Sequence, residues 1–464
     1  MGAQVDDQQA AFVETFRRFM DELILVPRPQ AEERTPLGEL VQDFLQRDVS
    51  TLPMVTEDVA THRLIDADIA LDELSTGSAS PLFGVTGGQQ REHSSFQELM
   101  SSPCGRFAPG PVDYVSAPTG PDSERQVVSF GVRLLSVDGH RVAVLQRGAR
   151  PEFGRISARL EILSENEVGS QALLGALRRL MIERSVLRGQ VLSFSGNEYG
   201  PGAAGVNFLA RPHVPGDEVI LPPGVLDDVA RHVVGIGENR EVLRAAGRHL
   251  KRGVLLYGPP GSGKTLTVQH LLSETPGITA VVLAGNSIQF VTQAAELARA
   301  MQPAIVVLED VDLIAADRNL SVGPQPLLFA MLDALDGLDG DADVAFVLTT
   351  NRVEVLEHAL ADRPGRIDLA VEIPLPDADA RRRLFELYAG DLPLTSKAIT
   401  DAAARAEGAT GAFAKELMRR TVLLAAEQGR QPADVDLAAA LDALLKTRDK
   451  LTRRLLGVDH TTSR

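Results

Sequence analysis

The chain has 464 residues, of which 44% are hydrophobic and 24% charged, and this composition is that of an ordinary globular protein and excludes a wholly disordered one. At about 150 residues per domain, the length predicts roughly three domains. The net charge of −16 argues against nucleic acid as a partner, and the single cysteine excludes a disulfide framework or a cysteine-rich zinc site. No apolar run reaches the roughly 18 residues of a membrane span, and the polar amino terminus is unlike a signal peptide, so a cytoplasmic protein without membrane contact is predicted.

The first predicted element is an amphipathic helix over residues 8–25, in which phenylalanines recur every three or four residues. A second helix is predicted over 37–45. Residues 75–121 are rich in Ser, Gly and Pro and are expected to form a loop-rich connector. We therefore predict that residues 1–124 form a helical and loop-rich N-terminal region.

Residues 125–222 are predicted to form a small α+β domain. Two apolar runs, 127–137 and 141–146, are joined by Asp138-Gly139, a pair that favours the positive φ angles of a tight hairpin turn. Further strands are predicted at 156–163, 191–194 and 206–209, and a helix at 168–187. No set of acids, histidines or nucleophiles in this region indicates catalysis.

Beyond a proline-rich bridge at 212–223, short runs of β-branched residues alternate with helical patterns. Continuous apolar strands are typical of a parallel sheet that is covered on both faces. The candidate strands are 253–257, 279–283, 304–308, 344–349 and 370–373. We therefore predict an α/β core over residues 223–375, followed by a helical region and tail over 376–464.

A phosphate-binding loop is the strongest signal in the sequence. It matches the pattern GxxxxGK[ST] and consists of Gly258, Pro259, Pro260, Gly261, Ser262, Gly263, Lys264 and Thr265. A predicted strand precedes it and a predicted helix follows, so backbone N–H groups can surround phosphates at the positive end of the helix. Lys264 is expected to contact the β- and γ-phosphates, and Thr265 to offer its hydroxyl to Mg²⁺. Only six of the 47 basic residues are lysines, yet one stands where this motif requires lysine.

Polar side chains also follow two of the predicted core strands. Glu309 and Asp310 end the strand 304–308, and carboxylates at such strand ends face the ligand in open α/β sheets. We expect Glu309 to hold magnesium and Asp310 to polarise the attacking water. The usual order of this pair is Asp-Glu, so the inversion leaves open which acid activates water and favours slow turnover. Asn351 follows the strand 344–349 and is expected to orient that water.

Arg363 and Arg366 lie three residues apart on a Pro-Gly turn. An arginine inserted from a neighbouring subunit can neutralise charge on a transferring phosphoryl group. Two surface arginines are also what an arginine-rich composition produces by itself. The position of the pair after the other motifs favours the functional interpretation.

In this order, the motifs resemble those of AAA+ ATPases of the AAA subgroup. The resemblance covers roughly residues 225–445 and implies an α/β P-loop NTPase core with a parallel sheet and a C-terminal helical lid, joined to an N-terminal α+β region. Arg363 and Arg366 match the paired arginine fingers of that subgroup, and Asn351 matches its sensor residue. The resemblance further implies ATP and Mg²⁺ as cofactors, and a homo-oligomer that is a hexameric ring.

Other segments carry weaker parts of this resemblance. Residues 233–236 resemble the segment that contacts the adenine base, which implies a nucleotide contact for Gly235 and Ile236, and residues 408–412 resemble the Gly-Ala segment of the lid. The inverted acid pair is similar to that of mitochondrial AAA translocases. The whole arrangement also resembles AAA ATPases of high-GC bacteria, in keeping with the excess of arginine.

Two functions stay open at this level. The first is an ATPase that hydrolyses Mg-ATP and remodels an unidentified protein partner bound through the N-terminal region. The alternative is a slow nucleotide-dependent switch or scaffold that does not thread a polypeptide. It is favoured by the short segment 285–292, where related unfoldases carry an aromatic pore loop and where Phe290 is the only aromatic residue. For Phe290, a contact in the hydrophobic core is the competing interpretation.

Overall fold

The computed structural model describes residues 12, 14–19, 34–76, 81–102, 106–195, 205–312, 333, 341–354 and 366–446. The chain divides into two compact units, one formed by residues 1–115 and 126–181 and one by residues 116–125 and 182–464. Two sheets of seven strands each organise the described residues. None of the helices in this described part is both long and apolar enough to cross a membrane.

The first sheet has the strand order β1-β7-β6-β5-β2-β3, with β4 paired to β5. Its strands are β1 (Met54–Val59), β2 (Leu82–Val85), β3 (Pro109–Gly110), β4 (Asp113–Gly120), β5 (Ser123–Val137), β6 (His140–Arg147) and β7 (Ala158–Ser164). The accompanying helices are α1 (Pro36–Leu45), α2 (Leu64–Ser75), α3 (Gln90–His93), α4 (Phe96–Met100) and α5 (Glu167–Glu183). Helix α1, strand β7 and helix α5 confirm the predictions made for 37–45, 156–163 and 168–187.

The hairpin predicted at Asp138-Gly139 is confirmed. The φ angles of the two residues are 49° and 83°, and β5 and β6 pair in antiparallel register on either side of them. Of the helix predicted over 8–25, the described residues 12 and 14–19 are helical, and the others lie outside the described residues. The hairpin could be predicted because its turn chemistry is local.

The prediction of a loop-rich connector over residues 75–121 is wrong, because this segment contains β2, β3, β4, α3 and α4. The short elements are stabilised by contacts distant in the sequence: Phe96 and Leu99 are fully buried in one core cluster with Leu37, and β2 pairs with β5. A helical period cannot be recognised in a helix as short as α4. The capping box formed by Ser95 and Glu98 was its one local signal.

The second sheet has the order β14-β10-β13-β12-β11-β8-β9. The five predicted core strands are confirmed and pair in parallel as β10 (Arg252–Tyr257), β11 (Thr279–Ala284), β12 (Ala304–Glu309), β13 (Val344–Thr350) and β14 (Leu369–Glu372). Strand β8 (Val191–Ser195) pairs with β11, and β9 (Gly205–Leu209) pairs with β8. These two strands were predicted within the small α+β domain, but they extend this second sheet because Leu192 and Phe194 are buried in its core.

Both faces of the second sheet are covered, as the continuous apolar runs predicted. Along β12, Val306 and Leu308 are buried in one core cluster, whereas Ile305 and Val307 are buried in another. The helices of this unit are α6 (Val225–Ala230), α7 (Ile236–Glu238), α8 (Arg240–Ala245), α9 (Lys264–Ser273) and α10 (Val291–Ala300), with a π-helical turn at Arg231–Gly235.

Four further helices follow the sheet: α11 (Ala378–Ala389), α12 (Ser396–Arg405), α13 (Gly411–Glu427) and α14 (Asp434–Leu445). They share a core of their own, in which Phe385, Phe413 and Leu441 are fully buried. The helical character predicted for 376–464 is confirmed up to residue 446, and residues 447–464 lie outside the described residues. Strands β10, β13 and β12 lie side by side in the sheet, so the residues that follow them meet at one edge.

Candidate nucleotide-binding site

The phosphate-binding loop lies between β10 and α9, and Lys264 is the first residue of that helix. Gly258 has a φ of 146°, and a Cβ there would lie 2.2 Å from the carbonyl oxygen of Ile373. Only glycine fits this position without displacing backbone. The loop geometry thus follows from the glycine spacing that the sequence shows.

Lys264 is 5% exposed, and its Nζ donates to the carbonyl oxygens of Gly258 at 2.9 Å and Pro259 at 2.8 Å. Burial lowers the pKa of Lys264, and the negative charges of Asp310 and Asp312 oppose that shift. The ammonium group is therefore held inside the loop by neutral acceptors. Phosphate oxygens accept stronger hydrogen bonds than carbonyls do, so a bound nucleotide can take over these donors.

The Ser262 hydroxyl oxygen is buried and has no hydrogen-bond partner among the described residues. Buried polar groups in proteins are almost always paired, so an orphaned hydroxyl indicates a missing partner. An anion within the loop would supply one. The Ser262 hydroxyl would thus donate to the anion together with the backbone N–H groups of the loop.

The two residues predicted to hold magnesium influence each other, since the Thr265 hydroxyl lowers the pKa of the Glu309 carboxyl group. Burial raises the pKa of Glu309, the charge of Asp310 raises it further, and the Thr265 hydroxyl opposes both effects. A carboxylate beside a like charge favours a cation as its neighbour. Carboxylate and hydroxyl oxygens are suitable ligands for Mg²⁺.

Asp310 and Asn351 are also brought together. The Asn351 Nδ2 donates to Asp310 Oδ1 at 3.1 Å, and the Asp310 backbone N–H donates to the Thr349 hydroxyl at 3.0 Å. Asp310 has a φ of 51°, a left-handed conformation that Asp tolerates better than most residues. The chain thus turns sharply after Glu309, so the two acids have different neighbours.

Sequence reasoning missed Asp312, which is 7% exposed. Its Oδ1 accepts from the Thr350 hydroxyl and from the Asn351 backbone N–H, each at 3.0 Å. A third acid was visible in the run from Glu309 to Asp312, but nothing local indicated that it would meet the neighbouring strand.

Of the two candidate arginine fingers, Arg363 lies outside the described residues. Arg366 is 5% exposed within its own chain. Gly253 is the second residue of β10, and a Cβ there would lie 2.1 Å from the Arg366 carbonyl oxygen. The backbone of Arg366 therefore lies at the amino end of β10. At about 3.3 Å per residue, the phosphate-binding loop lies roughly 17 Å further along the strand. The structure therefore does not bring the Arg366 backbone to the loop of the same chain.

The residues next to Gly235 and Ile236 contact the side chain of Arg252. The Val233 carbonyl accepts from Arg252 Nε at 2.9 Å, and a Cβ at Gly237 would lie 3.0 Å from Arg252 Nη2. Arg252 is the first residue of β10, so this segment lies at the amino end of the sheet. The loop lies at the carboxyl end.

Other residues approach the loop instead. A Cβ at Gly261 would lie 3.0 Å from Thr410 Oγ1 and 3.1 Å from Ala412 Cβ, so the predicted lid segment 408–412 contacts the loop. A Cβ at Gly263 would lie 3.9 Å from Leu221 Cδ2. Leu221 lies in the proline-rich bridge, in which no sequence motif indicated a site residue.

Phe290 belongs to the core, as the competing interpretation held. It is 1% exposed and stacks on Phe194 of β8, with ring centroids 5.8 Å apart and an angle of 29° between the planes. It ends a short 3-10 turn at Gly285–Phe290 that leads into α10. A side chain in this position is not available to grip a polypeptide.

We predict that Phe290→Leu lowers the thermal midpoint of unfolding by about 2–8 °C and leaves ATP turnover unchanged. The smaller side chain costs about 1–2 kcal/mol of packing, and each kcal/mol shifts a unit of this size by about 2–4 °C. Scanning calorimetry and a phosphate-release assay measure the two quantities. Gln289→Ala, at the exposed neighbouring position, serves as the control. An unchanged midpoint in Phe290→Leu would show that the core contact is wrong.

The P-loop, the two acids and the asparagine stand on three adjacent parallel strands, with a helical region beyond them. This arrangement defines an α/β P-loop NTPase of the AAA+ type. Residues 254–375 match the family model described as "ATPase family associated with various cellular activities (AAA)". The matched segment, which includes the whole loop and both acids, is thus similar to AAA ATPase domains.

Three relatives illustrate the similarity. The proteasome-activating nucleotidase of Saccharolobus solfataricus is 29% identical over 266 residues, which are 53% of this chain and 66% of the relative. That of Methanothermobacter thermautotrophicus is 30% identical over 268 residues, 54% of this chain and 64% of the relative. The ATP-dependent zinc metalloprotease FtsH 2 of Sphaerobacter thermophilus is 32% identical over 311 residues, 61% of this chain and 46% of the relative. The chain thus spans about half to two thirds of these relatives.

Proposed function

We propose that the protein is an Mg²⁺-dependent ATPase that works as an oligomer on a protein partner. The observation that supports this most strongly is the arrangement of the two acids beside the phosphate-binding loop. Asn351 Nδ2 donates to Asp310 Oδ1 at 3.1 Å, whereas the Thr265 hydroxyl lowers the pKa of Glu309. Asp310 thus has an amide neighbour, and Glu309 has a hydroxyl neighbour of the kind that can also bind a metal.

Thr265 and Glu309 would hold the magnesium ion, whose charge stabilises the negative oxygens of the triphosphate. Lys264 and the loop N–H groups would bind the phosphates, and Ser262 would donate its orphaned hydroxyl hydrogen. Asp310 would accept a proton from the attacking water, and Asn351 would keep that carboxylate in place. The different neighbours of the two acids support the assignment of Glu309 to the metal and Asp310 to water.

The direct test is phosphate release from ATP by the purified protein, with Mg²⁺ and with excess chelator. An ATP turnover rate per subunit that requires Mg²⁺ and that rises with protein concentration supports an oligomeric ATPase. Absence of turnover in every condition, with ATP still bound, would favour the alternative of a nucleotide-dependent switch. Absence of both binding and turnover would contradict the proposal.

For the adenine base of ATP, the contacts in the structure favour a binding position away from Gly235 and Ile236. Leu221 lies near Gly263, and Thr410 and Ala412 lie near Gly261, so these residues border the loop at the carboxyl end of the sheet. We propose that the adenine base lies between the bridge segment and the helical lid. Gly235 and Ile236 remain a hypothesis carried by the family resemblance alone.

An assembled ring would give the arginine pair its role. The Arg366 backbone lies at the end of β10 away from the loop of its own chain, and this favours action on a neighbouring subunit over action in the same one. Arg363 is proposed to act with it. A hexamer is the ring size that the family resemblance suggests.

We predict that mixing two inactive variants restores ATPase activity. Arg366→Ala should bind ATP but hydrolyse it at least about tenfold more slowly, and Asp310→Asn should also be inactive. In an equal mixture, about a quarter of the subunit boundaries combine an intact Asp310 with an intact arginine of the neighbour. Activity should therefore reappear when the two are unfolded or dissociated and reassembled together.

The control is a mixture of Arg366→Ala with the double variant Asp310→Asn/Arg366→Ala, which contains no intact arginine. If ATPase activity is restored only in the mixture of Arg366→Ala with Asp310→Asn, Arg366 acts on the site of a neighbouring subunit. Equal activity in both mixtures would contradict it. Arg363→Ala is tested in the same way. Because Arg366 is buried, its variant is also checked by calorimetry.

A protein is the proposed substrate. Two of the relatives are a proteasome-activating nucleotidase and an ATP-dependent zinc metalloprotease, and both names support this class of substrate. The residues of the first unit, outside the family match, are the proposed docking region. The buried Phe290 favours remodelling without threading through an aromatic pore loop. A cytoplasmic location and kinship with AAA ATPases of high-GC bacteria, suggested by the arginine excess, belong to the same proposal.

A further inference from the structure

Asp312 occupies an unusual place beside the proposed site. Its carboxyl group is buried, and a single oxygen, Oδ1, accepts two hydrogen bonds from consecutive residues of the neighbouring strand end. The donors are the Thr350 hydroxyl and the Asn351 backbone N–H, each at 3.0 Å. The Arg352 backbone N–H in turn donates to Thr350 Oγ1 at 3.0 Å. Asp312 thus orders the turn that follows β13.

The same turn carries the side chain that reaches the proposed general base. Asn351 has its backbone N–H on Asp312 and its Nδ2 on Asp310 Oδ1, 3.1 Å away. An asparagine side chain has two rotatable bonds, so the position of its backbone largely determines where the amide points. Asp310 itself sits on the left-handed turn between Glu309 and Asp312. The two strand ends are therefore joined by side-chain hydrogen bonds of both Asp312 and Asp310.

We propose that Asp312 is a positioning residue for ATP hydrolysis. It fixes the backbone of Asn351, and Asn351 in turn holds the Asp310 carboxylate in the orientation that accepts a proton from water. This inference rests on the proposed function, because it assigns a role within the same site. Asp312 makes its contribution through hydrogen-bond acceptance, whereas its charge acts on Lys264.

Two variants separate the hydrogen-bond acceptance of Asp312 from the effect of its charge on Lys264. Asp312→Asn keeps a carbonyl oxygen that can accept both hydrogen bonds, and should retain kcat within about threefold. Asp312→Ala removes the acceptor, and should lower kcat by about 10- to 100-fold, the cost of a small misplacement of a catalytic group. KM for ATP should not rise in either variant, since removal of a negative charge near Lys264 does not weaken phosphate binding.

A double-variant cycle completes the test. Asn351→Ala should lower kcat by a similar factor, and Asp312→Ala/Asn351→Ala should be no slower than Asn351→Ala alone, because both act through one contact. Additive losses would overturn the proposal, as would an Asp312→Asn variant as slow as Asp312→Ala. If Asp312→Ala does not fold, the comparison of Asp312→Asn with wild type and with Asp312→Asn/Asn351→Ala still decides the matter. A wild-type protein that binds but never hydrolyses ATP would instead show that the proposed function fails.

Discussion

Lys264→Ala is expected to lose ATP binding and hydrolysis. The Lys264 ammonium is held inside the loop by two carbonyl oxygens and would exchange them for β- and γ-phosphate oxygens. A hydrogen bond to a charged group contributes about 1.5–3 kcal/mol, so the loss of two removes about 3–6 kcal/mol, a factor of about 10²–10⁴ in affinity. Isothermal titration with ATP and Mg²⁺, followed by a phosphate-release assay, measures the result.

Two matched variants control this experiment. Lys397→Ala removes an exposed lysine of α12 and should bind and hydrolyse ATP as the wild type does. Lys264→Arg keeps the positive charge but replaces a compact ammonium by a planar guanidinium, so it should also be strongly impaired. Lys264→Ala with normal turnover and an unchanged melting temperature would refute the assignment of the loop and the proposed ATPase activity together.

Asp310→Asn is expected to bind ATP and to hydrolyse it about 10²–10⁴-fold more slowly, the range typical for loss of a general base. The carboxamide keeps an oxygen that can accept from Asn351 Nδ2, so the local hydrogen bonds survive while the proton acceptor is lost. Single-turnover hydrolysis with bound ATP separates this chemical step from binding. The trapped ATP state also suits the search for a partner by affinity capture.

Glu309→Gln provides the comparison for Asp310→Asn. Because Glu309 has the Thr265 hydroxyl as a neighbour, its replacement should weaken Mg²⁺-dependent nucleotide binding, seen as a higher Mg²⁺ requirement. The pKa of Glu309 is raised, so its carboxylate becomes protonated, and unable to hold the cation, at a higher pH than an ordinary glutamate does. If Glu309→Gln traps ATP and Asp310→Asn raises the Mg²⁺ requirement, the two roles are exchanged.

The sequence predicted most of the second sheet and the main chemistry of the site because their signals are local. Five strands were readable as continuous apolar runs, since a strand buried on both faces cannot tolerate polar side chains. The P-loop was readable because φ angles such as that of Gly258 are open only to glycine. Asn351 and Asp310 follow neighbouring parallel strands, and such strand ends meet at one edge of the sheet, where Asn351 donates to Asp310.

The structure departs from the expectations wherever packing partners are distant in the chain. The short helices and strands between residues 75 and 121 had too few residues to show a period, and they are stabilised by β5 and by the core around Leu37. Strand β8 could not be assigned to a sheet from its sequence, because apolar strands are buried in the cores of both sheets and an apolar run fits either one. Its pairing with β11 also places Phe194 against Phe290.

By itself, the sequence determined that this chain carries a nucleotide-binding loop, two acids and an asparagine on parallel strands, because glycine spacing, strand composition and strand-end polarity are properties of a few consecutive residues. Only the tertiary structure decided that Phe290 is core, that Arg366 is buried and that the residues on either side of Gly235 and Ile236 contact Arg252. It also revealed Asp312 as the link to Asn351. Each of these depends on which segments meet in space, and a contact between residues dozens of positions apart leaves no period or motif in the sequence.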